Sequence, residues 1–469
     1  MAHEFDVVIV GTGPGGYVCA IRASQLGLNV AVVEKSERHG GTCLNVGCIP
    51  SKAILHAAEM VREAREDFAT LGIKVGGPVE ADLDAMRKYR TEAIEANVQG
   101  IAFLLKKNKV TVYRGEGRIM GTGRVSVAQK NGETVELKGT NVLIATGSES
   151  FSLPCLPVDE KTIVSSTGAF GFDPVPEHLV VVGGGSVGLE LGSAWQRLGA
   201  EVTVVEALEN IIGDFDSEIA KLTQKSLEAH GMRFMLNTQV HDAKIIPEGV
   251  ELALKTRTGE DAGTLVADKV LVSIGRSPYT EGLGLEEAGV KLNERGFIIV
   301  DEQYRTSVEG IYALGDVIGG KMLAHKASDE GVAAAEIFAG MDGRVTYAAI
   351  PGVVYTTPEV AGVGKTEDEL KAAGVPYKVG KFPFTASGRA RTMGCTTGMA
   401  KVLACAETER ILGAHVVGAS AGEIIHEIVV LIEVGGTLDS LTRPCHAHPT
   451  LSETLREAAL DANKRAIHI

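Results

Sequence analysis

Cys43 and Cys48 lie five positions apart in Gly40-Gly-Thr-Cys-Leu-Asn-Val-Gly-Cys-Ile-Pro-Ser-Lys52. Two thiols this near in sequence can alternate between dithiol and disulfide and so hold two electrons. The residue pattern from Ile54 to Arg65 predicts a long helix, which places both cysteines near its start. A helix N-terminus stabilises a thiolate, and Lys52 adds a positive charge one turn on. Three other readings compete. The two cysteines could be incidental. They could bind zinc, although zinc sites want CxxC pairs with further Cys or His ligands and no second pair is present. They could form a static disulfide, which a reducing compartment disfavours. The other five cysteines, Cys19, Cys155, Cys395, Cys405 and Cys445, are isolated, and their expected role is that of small buried hydrophobes.

A second chemical constellation closes the chain. His448 precedes Pro449, a residue that disfavours helical geometry before it and suits the first position of a helix. Glu453 then falls in the first turns of that helix. Its carboxylate can reach back to one imidazole nitrogen, fix the tautomer and leave the other nitrogen free as a base. The alternative is a surface or capping histidine. His446 has no comparable partner in the sequence and is expected to be structural.

The elements that must position these groups are announced by an internal repeat. Phe5 to Val10 is a β-branched run ending at Gly11-Thr-Gly-Pro-Gly-Gly16, followed by a helical pattern, a turn at Gly27 and a second strand closing at Glu34. Gly11 recurs as Gly183, Gly16 as Gly188, Gly27 as Gly199 and Glu34 as Glu206, always 172 residues on. In each unit the first glycine (Gly11, Gly183) allows the tight turn. The second (Gly13, Gly185) lets backbone approach a pyrophosphate, and the third (Gly16, Gly188) lets helix pack on strand. The pyrophosphate then rests on the helix N-terminus, and the acid accepts ribose hydroxyls. Two such units predict two bound dinucleotides. A carboxylate at Glu206, with nothing basic in Ala207-Leu-Glu-Asn210, suits a free 2′-hydroxyl, so NAD is expected rather than NADP.

Composition narrows the class. A chain of 469 residues with 45% hydrophobic content can bury large cores, which excludes a disordered protein. A net charge of −14 without a dense Lys/Arg cluster argues against nucleic acid as a partner. The apolar runs are too short to span a bilayer, and the N-terminus carries no recognisable targeting pattern. A protein of a reducing compartment is expected, cytoplasmic or in the matrix of an organelle. An odd number of cysteines, seven, does not form a secreted disulfide framework.

The Gly40–Lys52 segment resembles the redox-active disulfide motif of the pyridine nucleotide–disulfide oxidoreductases. Ala145-Thr-Gly147 and Gly310-Ile-Tyr-Ala-Leu-Gly-Asp316 are similar to two further signatures of that family, in its order and spacing. Met322-Leu-Ala-His-Lys326 and His446-Ala-His-Pro-Thr-Leu-Ser-Glu453 resemble segments of its members that act on dihydrolipoyl thiols. The resemblance implies an α/β fold with two Rossmann-like domains, one for FAD and one for NAD, and a C-terminal α+β dimerisation domain. It places an FAD domain at 1–147 and 275–345, an NAD domain at 148–274 and an interface domain at 346–469. It implies a flavin site formed by Gly11, Gly13, Gly16, Glu34, Lys52, Gly117, Thr146, Gly147, Ser148, Asp316, Met322, Leu323, Ala324 and His325. It implies an NAD site at Gly183, Gly185, Gly188, Glu190, Glu206, Val240 and Gly275, with Glu190 pairing with Lys52. Cys43, Cys48, His448 and Glu453 become the catalytic set, Cys43 exchanging with substrate and Cys48 facing the flavin.

The further implications are a homodimer, in which His448 of the partner subunit serves each thiol pair, and lipoyl domains of a 2-oxo acid dehydrogenase or glycine cleavage complex as partners. Neither metal, membrane nor nucleic acid is implied. A glutathione-reductase-like enzyme would want basic residues near Glu206. A mercuric-reductase-like one would want a cysteine pair near the C-terminus. A non-catalytic flavoprotein would have no use for the intact thiol pair and dyad.

Overall fold

The computed structural model describes residues 3–469. They separate into two compact units, one built from the chain up to Ala53, Asp84–Phe151 and Gly275–Val345, the other from Ile54–Leu83, Ser152–Ile274 and Thr346–Ile469.

The first unit is organised on the strand His3–Val10. It pairs in parallel with Val30–Glu34 on one side and Thr134–Ile144 on the other, within a sheet extended by Thr111–Arg114, Arg124–Ala128, Glu116–Ile119 and Ile311–Ala313. Val7, Val8 and Ile9 are fully buried, as a parallel strand covered on both faces requires. Each such side chain contributes about 1.5–3 kcal/mol relative to exposure. The helix Pro14–Gln25 leaves the strand through Gly13, and its first residue, Pro14, has no N–H to leave unpaired. It packs on the helix Ala324–Phe338 at glycines: a Cβ on Gly331 would stand 2.5 Å from the Gly15 carbonyl oxygen.

The second unit repeats this arrangement. His178–Val182, Glu201–Val205, Arg233–Met235, Lys269–Val272 and Ile163–Val164 form a parallel sheet, and the helix Ser186–Leu198 leaves the first of these strands through Gly185. The repeat extends to register. Val7 pairs with Val30 and Leu179 with Val202, equivalent positions 172 residues apart. An antiparallel sheet of Thr238–Ile246, Gly249–Thr256 and Asp261–Ala267 follows.

The C-terminal residues form a five-stranded antiparallel sheet ordered Gly352–Val354, Glu359–Gly364, Ile411–Gly418, Met399–Cys405, Tyr377–Pro383. The helices His426–Glu433, Leu438–Thr442 and Glu453–Asp461 share a core with it, through Ile428, Leu441, Leu455 and Ala458 against Val402, Val416 and Phe384. The fold class is thus the expected α/β with a C-terminal α+β region.

Buried charge ties parts of this second unit together. Lys401 Nζ sits 2.9 Å from both carboxylate oxygens of Asp216, 3.0 Å from Glu218 and 2.7 Å from Glu367. Asp216 also accepts the Glu367 amide at 3.1 Å while Asp368 accepts the Ser217 amide at 2.9 Å, so the helices Ser217–Ala229 and Glu367–Ala372 cap one another.

Several expectations are corrected. The helix predicted from Ile54 begins at Cys48 and runs to Glu66, because Pro50 in a first turn has no N–H that needs a partner. Of the five isolated cysteines only Cys19 is buried; Cys155 and Cys405 are half-buried, and Cys395 and Cys445 are exposed. Among the described residues no helix is long and apolar enough to cross a membrane.

Candidate active site

Cys43 lies in the short helix Gly41–Val46 and Cys48 opens the helix Cys48–Glu66. Gly47 makes the joint between them, and a Cβ there would stand 2.9 Å from the Thr42 carbonyl oxygen. Both cysteines are half-buried thiols whose side chains share a hydrogen bond. That bond, then burial, then the like charge of Cys48 push the Cys43 thiol far above the ordinary thiol range, against a weaker downward pull from Lys52. The two thiols are therefore coupled, Cys48 acting on Cys43 both through the hydrogen bond and through charge at the helix start.

Arg276, near the start of the 275–345 segment and not among the expected site residues, lies in the field of this charge. Burial pulls its guanidinium down, while Asp316, Cys48 and Glu149 push it back. Its Nε donates to Ser148 Oγ and its Nη2 to the Ser148 carbonyl, both at 2.6 Å, and Ser148 Oγ donates to Asp316 at 2.5 Å. The turn carrying Asp316 is fixed from behind by Lys326, which reaches the carbonyls of Gly315 (3.1 Å) and Gly319 (3.0 Å), and by Glu330, which accepts the Gly315 amide at 2.8 Å. Lys326 and Glu330 pair at 3.0 Å, fully enclosed. Their spacing of four on one helix was the signal that could have found them.

The two glycine loops are built alike. Gly11 and Gly183 have φ of +102° and +107°, and a Cβ on either would lie about 2.5 Å from a carbonyl oxygen of the neighbouring strand end (2.4 and 2.5 Å). Gly16 and Gly188 approach the carbonyls of Gly11 and Gly183 so closely that a Cβ would fall at 2.0 and 2.3 Å. A Cβ on Gly185 would meet nothing within 4 Å, and on Gly13 only the Gly41 Cα at 4.0 Å. Open space at the second glycine, beside the amides of a helix start, fits a pyrophosphate. Each acid reads its own loop. Glu34 accepts the amides of Thr12 (2.9 Å) and Ser36 (2.8 Å); Glu206 accepts those of Gly184 (2.6 Å) and Leu208 (2.8 Å). These donors too are 172 residues apart.

The other expected flavin-side residues belong to the first unit. Thr146 Oγ1 donates to the Tyr279 carbonyl at 2.7 Å, and Gly147 accepts the Tyr279 amide at 3.0 Å. Gly117 packs on Val10 where a Cβ would lie 2.9 Å away. Met322 and Leu323 lead into the helix that begins with Ala324 and His325. In the second unit, Glu190 is buried and accepts the Tyr355 amide at 3.0 Å, and Val240 is buried in its strand. Gly275, with φ of +129°, accepts the Phe151 amide at 3.1 Å.

His448 and Glu453, in the second unit, meet as expected: Nδ1 to Oε1 is 2.9 Å. The helix starts at Glu453 itself, not at Pro449, because the Thr450 amide is satisfied by Glu453 Oε2 at 2.8 Å. Burial tends to raise the Glu453 carboxyl, but the Thr450 amide and His448 outweigh it and hold it below the usual value. The His448 side chain is 76% exposed, so its Nε2 is accessible as a base. His446, expected to lack a partner, has one in Glu427 at 3.4 Å, contributed by another helix.

A dithiol, two dinucleotide loops and an oriented histidine define a redox protein that moves electrons between sulfur and nucleotide cofactors. Residues 5–331 match the pyridine nucleotide-disulphide oxidoreductases, and residues 350–459 match the dimerisation domain of the same family. The chain belongs to this family, and it is a flavin-dependent disulfide oxidoreductase whose cofactors are FAD and NAD. It is 50% identical to dihydrolipoyl dehydrogenase 1 of Arabidopsis thaliana mitochondria, over all of this chain and 92% of that one. It is 49% identical to dihydrolipoyl dehydrogenase 3 of Pseudomonas putida, over 99% of this chain and 100% of that one. Among solved structures, LpdA of Mycobacterium tuberculosis superposes with a TM-score of 0.90 at 28% identity, covering 98% of this chain and 99% of that one.

Proposed function

We propose that this protein oxidises dihydrolipoyl groups to lipoyl groups and reduces NAD. The observation that carries the proposal is the hydrogen-bonded pair Cys43–Cys48 at a helix start, with Lys52 adding its charge. In this reading, residues 1–147 and 275–345 hold FAD, 148–274 hold NAD, and 346–469 form a dimer interface. The glycine loop ending at Gly16, with Glu34 and Asp316, holds the flavin nucleotide; Gly185, Gly188 and Glu206 hold NAD.

His448 of the partner subunit takes the proton from a dihydrolipoyl thiol, oriented by its Glu453 contact. The thiolate attacks Cys43 in the disulfide form of the pair, the Cys43–Cys48 bond breaks, and a mixed disulfide forms. The second dihydrolipoyl thiol attacks that disulfide, releasing the cyclic lipoyl product and leaving two thiols. The hydrogen bond between the two cysteine side chains supports this reading of them as a pair. Bound FAD supplies the two-electron connection from the dithiol to NAD. Net, a dithiol and NAD+ become a disulfide, NADH and a proton. The partners are lipoyl domains of a 2-oxo acid dehydrogenase or glycine cleavage complex, and names of relatives at half identity support this substrate class.

The test compares steady-state rates with dihydrolipoamide and reduced glutathione, each with NAD and NADP. Dihydrolipoamide with NAD is expected to exceed every other combination by at least about a hundredfold, the scale set by losing matched polar contacts in a specific site. Equal or faster glutathione turnover overturns the proposal.

A further inference from the structure

Behind Glu34 runs a chain of hydrogen bonds that neither dinucleotide binding in general nor the thiol chemistry requires. Thr12 Oγ1 donates to Glu34 Oε2 at 2.6 Å. Thr12 Oγ1 also lies 3.0 Å from His39 Nδ1, and His39 Nε2 lies 2.6 Å from Arg114 Nη2. His39 is 3% exposed and Thr12 is fully buried.

Donor counting fixes the direction of every bond. A hydroxyl has one proton, and Thr12 spends it on the carboxylate, so towards His39 it must accept. His39 Nδ1 therefore carries a hydrogen. A guanidinium has donors only, so Nε2 must accept from Arg114 and carries none. The imidazole is neutral in one defined tautomer, and the bonds run in one sense from Arg114 through His39 and Thr12 to Glu34. Arg114 is itself clamped by the Ser36 carbonyl at 2.6 Å, and Ser36 donates its amide to the other Glu34 oxygen at 2.8 Å. The carboxylate is thus held from both oxygens by one connected network.

We propose that His39 is a positioning residue for FAD: in its neutral Nδ1–H form it sets the Glu34 carboxylate for the cofactor's ribose, and its protonation loosens FAD. The inference rests on Glu34 being the acid that binds that ribose. A protonated ring cannot accept from Arg114, so two cations would face each other in a buried site and the network would break. Arg114 and Glu34 are the charges that face the ring. Within its own loop Glu37 is engaged by Lys130 at 2.5 Å and Arg38 by Glu95 at 3.6 Å. Burial and then the Arg114 charge, against a weaker pull from Glu34, hold His39 below the ordinary histidine value. The loosening therefore sets in on the acid side of about pH 6.5.

The test follows FAD release from diluted holoenzyme by the rise in flavin fluorescence, between pH 8 and 5. Wild type is expected to release FAD roughly two- to tenfold faster at the acid end, the scale of one hydrogen bond. His39→Leu and His39→Gln are expected to release it faster already at pH 8 and to lose the dependence between pH 8 and 5. The pH profile separates this from a packing role, which either variant would disturb equally at every pH. A flat wild-type profile, or variants that keep the wild-type profile, overturns the relay. Glu34→Gln is the control: faster release there with unaffected His39 variants removes only the relay, whereas unchanged release in Glu34→Gln removes the ribose reading and the relay with it.

Discussion

His448 Nδ1 stands 2.9 Å from Glu453 Oε1, and the other oxygen of that carboxylate holds the Thr450 amide at 2.8 Å, so the ring is oriented by a group that is itself anchored. His448→Gln is expected to lower turnover of dihydrolipoamide with NAD by about 10²–10⁴, the usual contribution of a general base. Glu453→Gln, which keeps shape but not charge, should cost less. The Glu453 pKa is depressed, so its contribution is present above the ordinary carboxylate value and lost as pH falls through the lower folded one. The ratio of wild-type to Glu453→Gln turnover should therefore stay constant from pH 6 to 8. A ratio that changes steeply within that window would show that the carboxylate is not held ionised.

The thiol pair makes a sharper prediction. The hydrogen bond to Cys48 is the largest cause raising the Cys43 thiol, and the charge of Cys48 acts in the same direction. Cys48→Ser removes the charge and weakens the bond, while burial remains. The alkylation rate of Cys43 in reduced protein at pH 8 should rise by roughly tenfold or more, because reactivity follows thiolate fraction. Dithiol-to-NAD turnover should vanish. Turnover near the wild-type rate in Cys48→Ser would falsify the assignment of the pair, and an unchanged Cys43 alkylation rate would show that burial alone protects it.

What the sequence made legible was local. The glycines and the closing acid of each unit lie within a few dozen residues, and each demands one residue type, so their repeat at 172 foretells strand register and even the amides that Glu34 and Glu206 accept. Glu453 was found because it is five residues from His448. Contacts made by the fold were invisible. Arg276 meets Ser148 across 128 positions and Ser148 meets Asp316 across 168, and neither spacing carries a signal. Glu427 reaches His446 from a different helix, so a search for local partners missed it. Cys395 and Cys445 were expected inside because free cysteine is usually buried, but residue type cannot say which face of an element meets solvent.

Lys401 tests how the second unit is held. Three carboxylates converge on one ammonium that is 1% exposed, beside an Asp216 that is fully buried. Lys401→Met leaves that negative charge without its central partner and should destabilise the unit by about 3–5 kcal/mol, the cost of breaking a buried pair from one side. Asp216→Asn should cost less because two carboxylates still face the lysine. The Glu367 carboxyl is held down to about 2, burial working against the bonds from Lys371, Lys401 and Tyr377 that lower it. Its stabilisation is complete above the ordinary value near 4.5 and fades as pH falls towards 2. Thermal unfolding should therefore show wild type losing stability below pH 4.5 more steeply than Lys401→Met. Parallel acid profiles would count against the cluster as the source.

Two glycines of the second loop separate folding from cofactor binding. A Cβ on Gly188 would stand 2.3 Å from the Gly183 carbonyl oxygen and 2.5 Å from Ser273 Oγ, both within the packed joint of helix and strand. Gly188→Ala should lose about 1–3 kcal/mol or more, the cost of overpacking, and lower the midpoint of thermal unfolding. Gly185 is extended, with φ of −80° and ψ of 179°, which any residue adopts, and its Cβ would meet nothing within 4 Å. Gly185→Ala should leave stability within about 0.5 kcal/mol of wild type. If the open space beside it is where the NAD pyrophosphate lies, the added methyl occupies that space, and KM for NAD should rise by about tenfold while FAD release stays unchanged. Unaltered KM in a folded Gly185→Ala protein would mean that the nucleotide does not approach this amide, and the loop would then be a turn that packs a helix and nothing more.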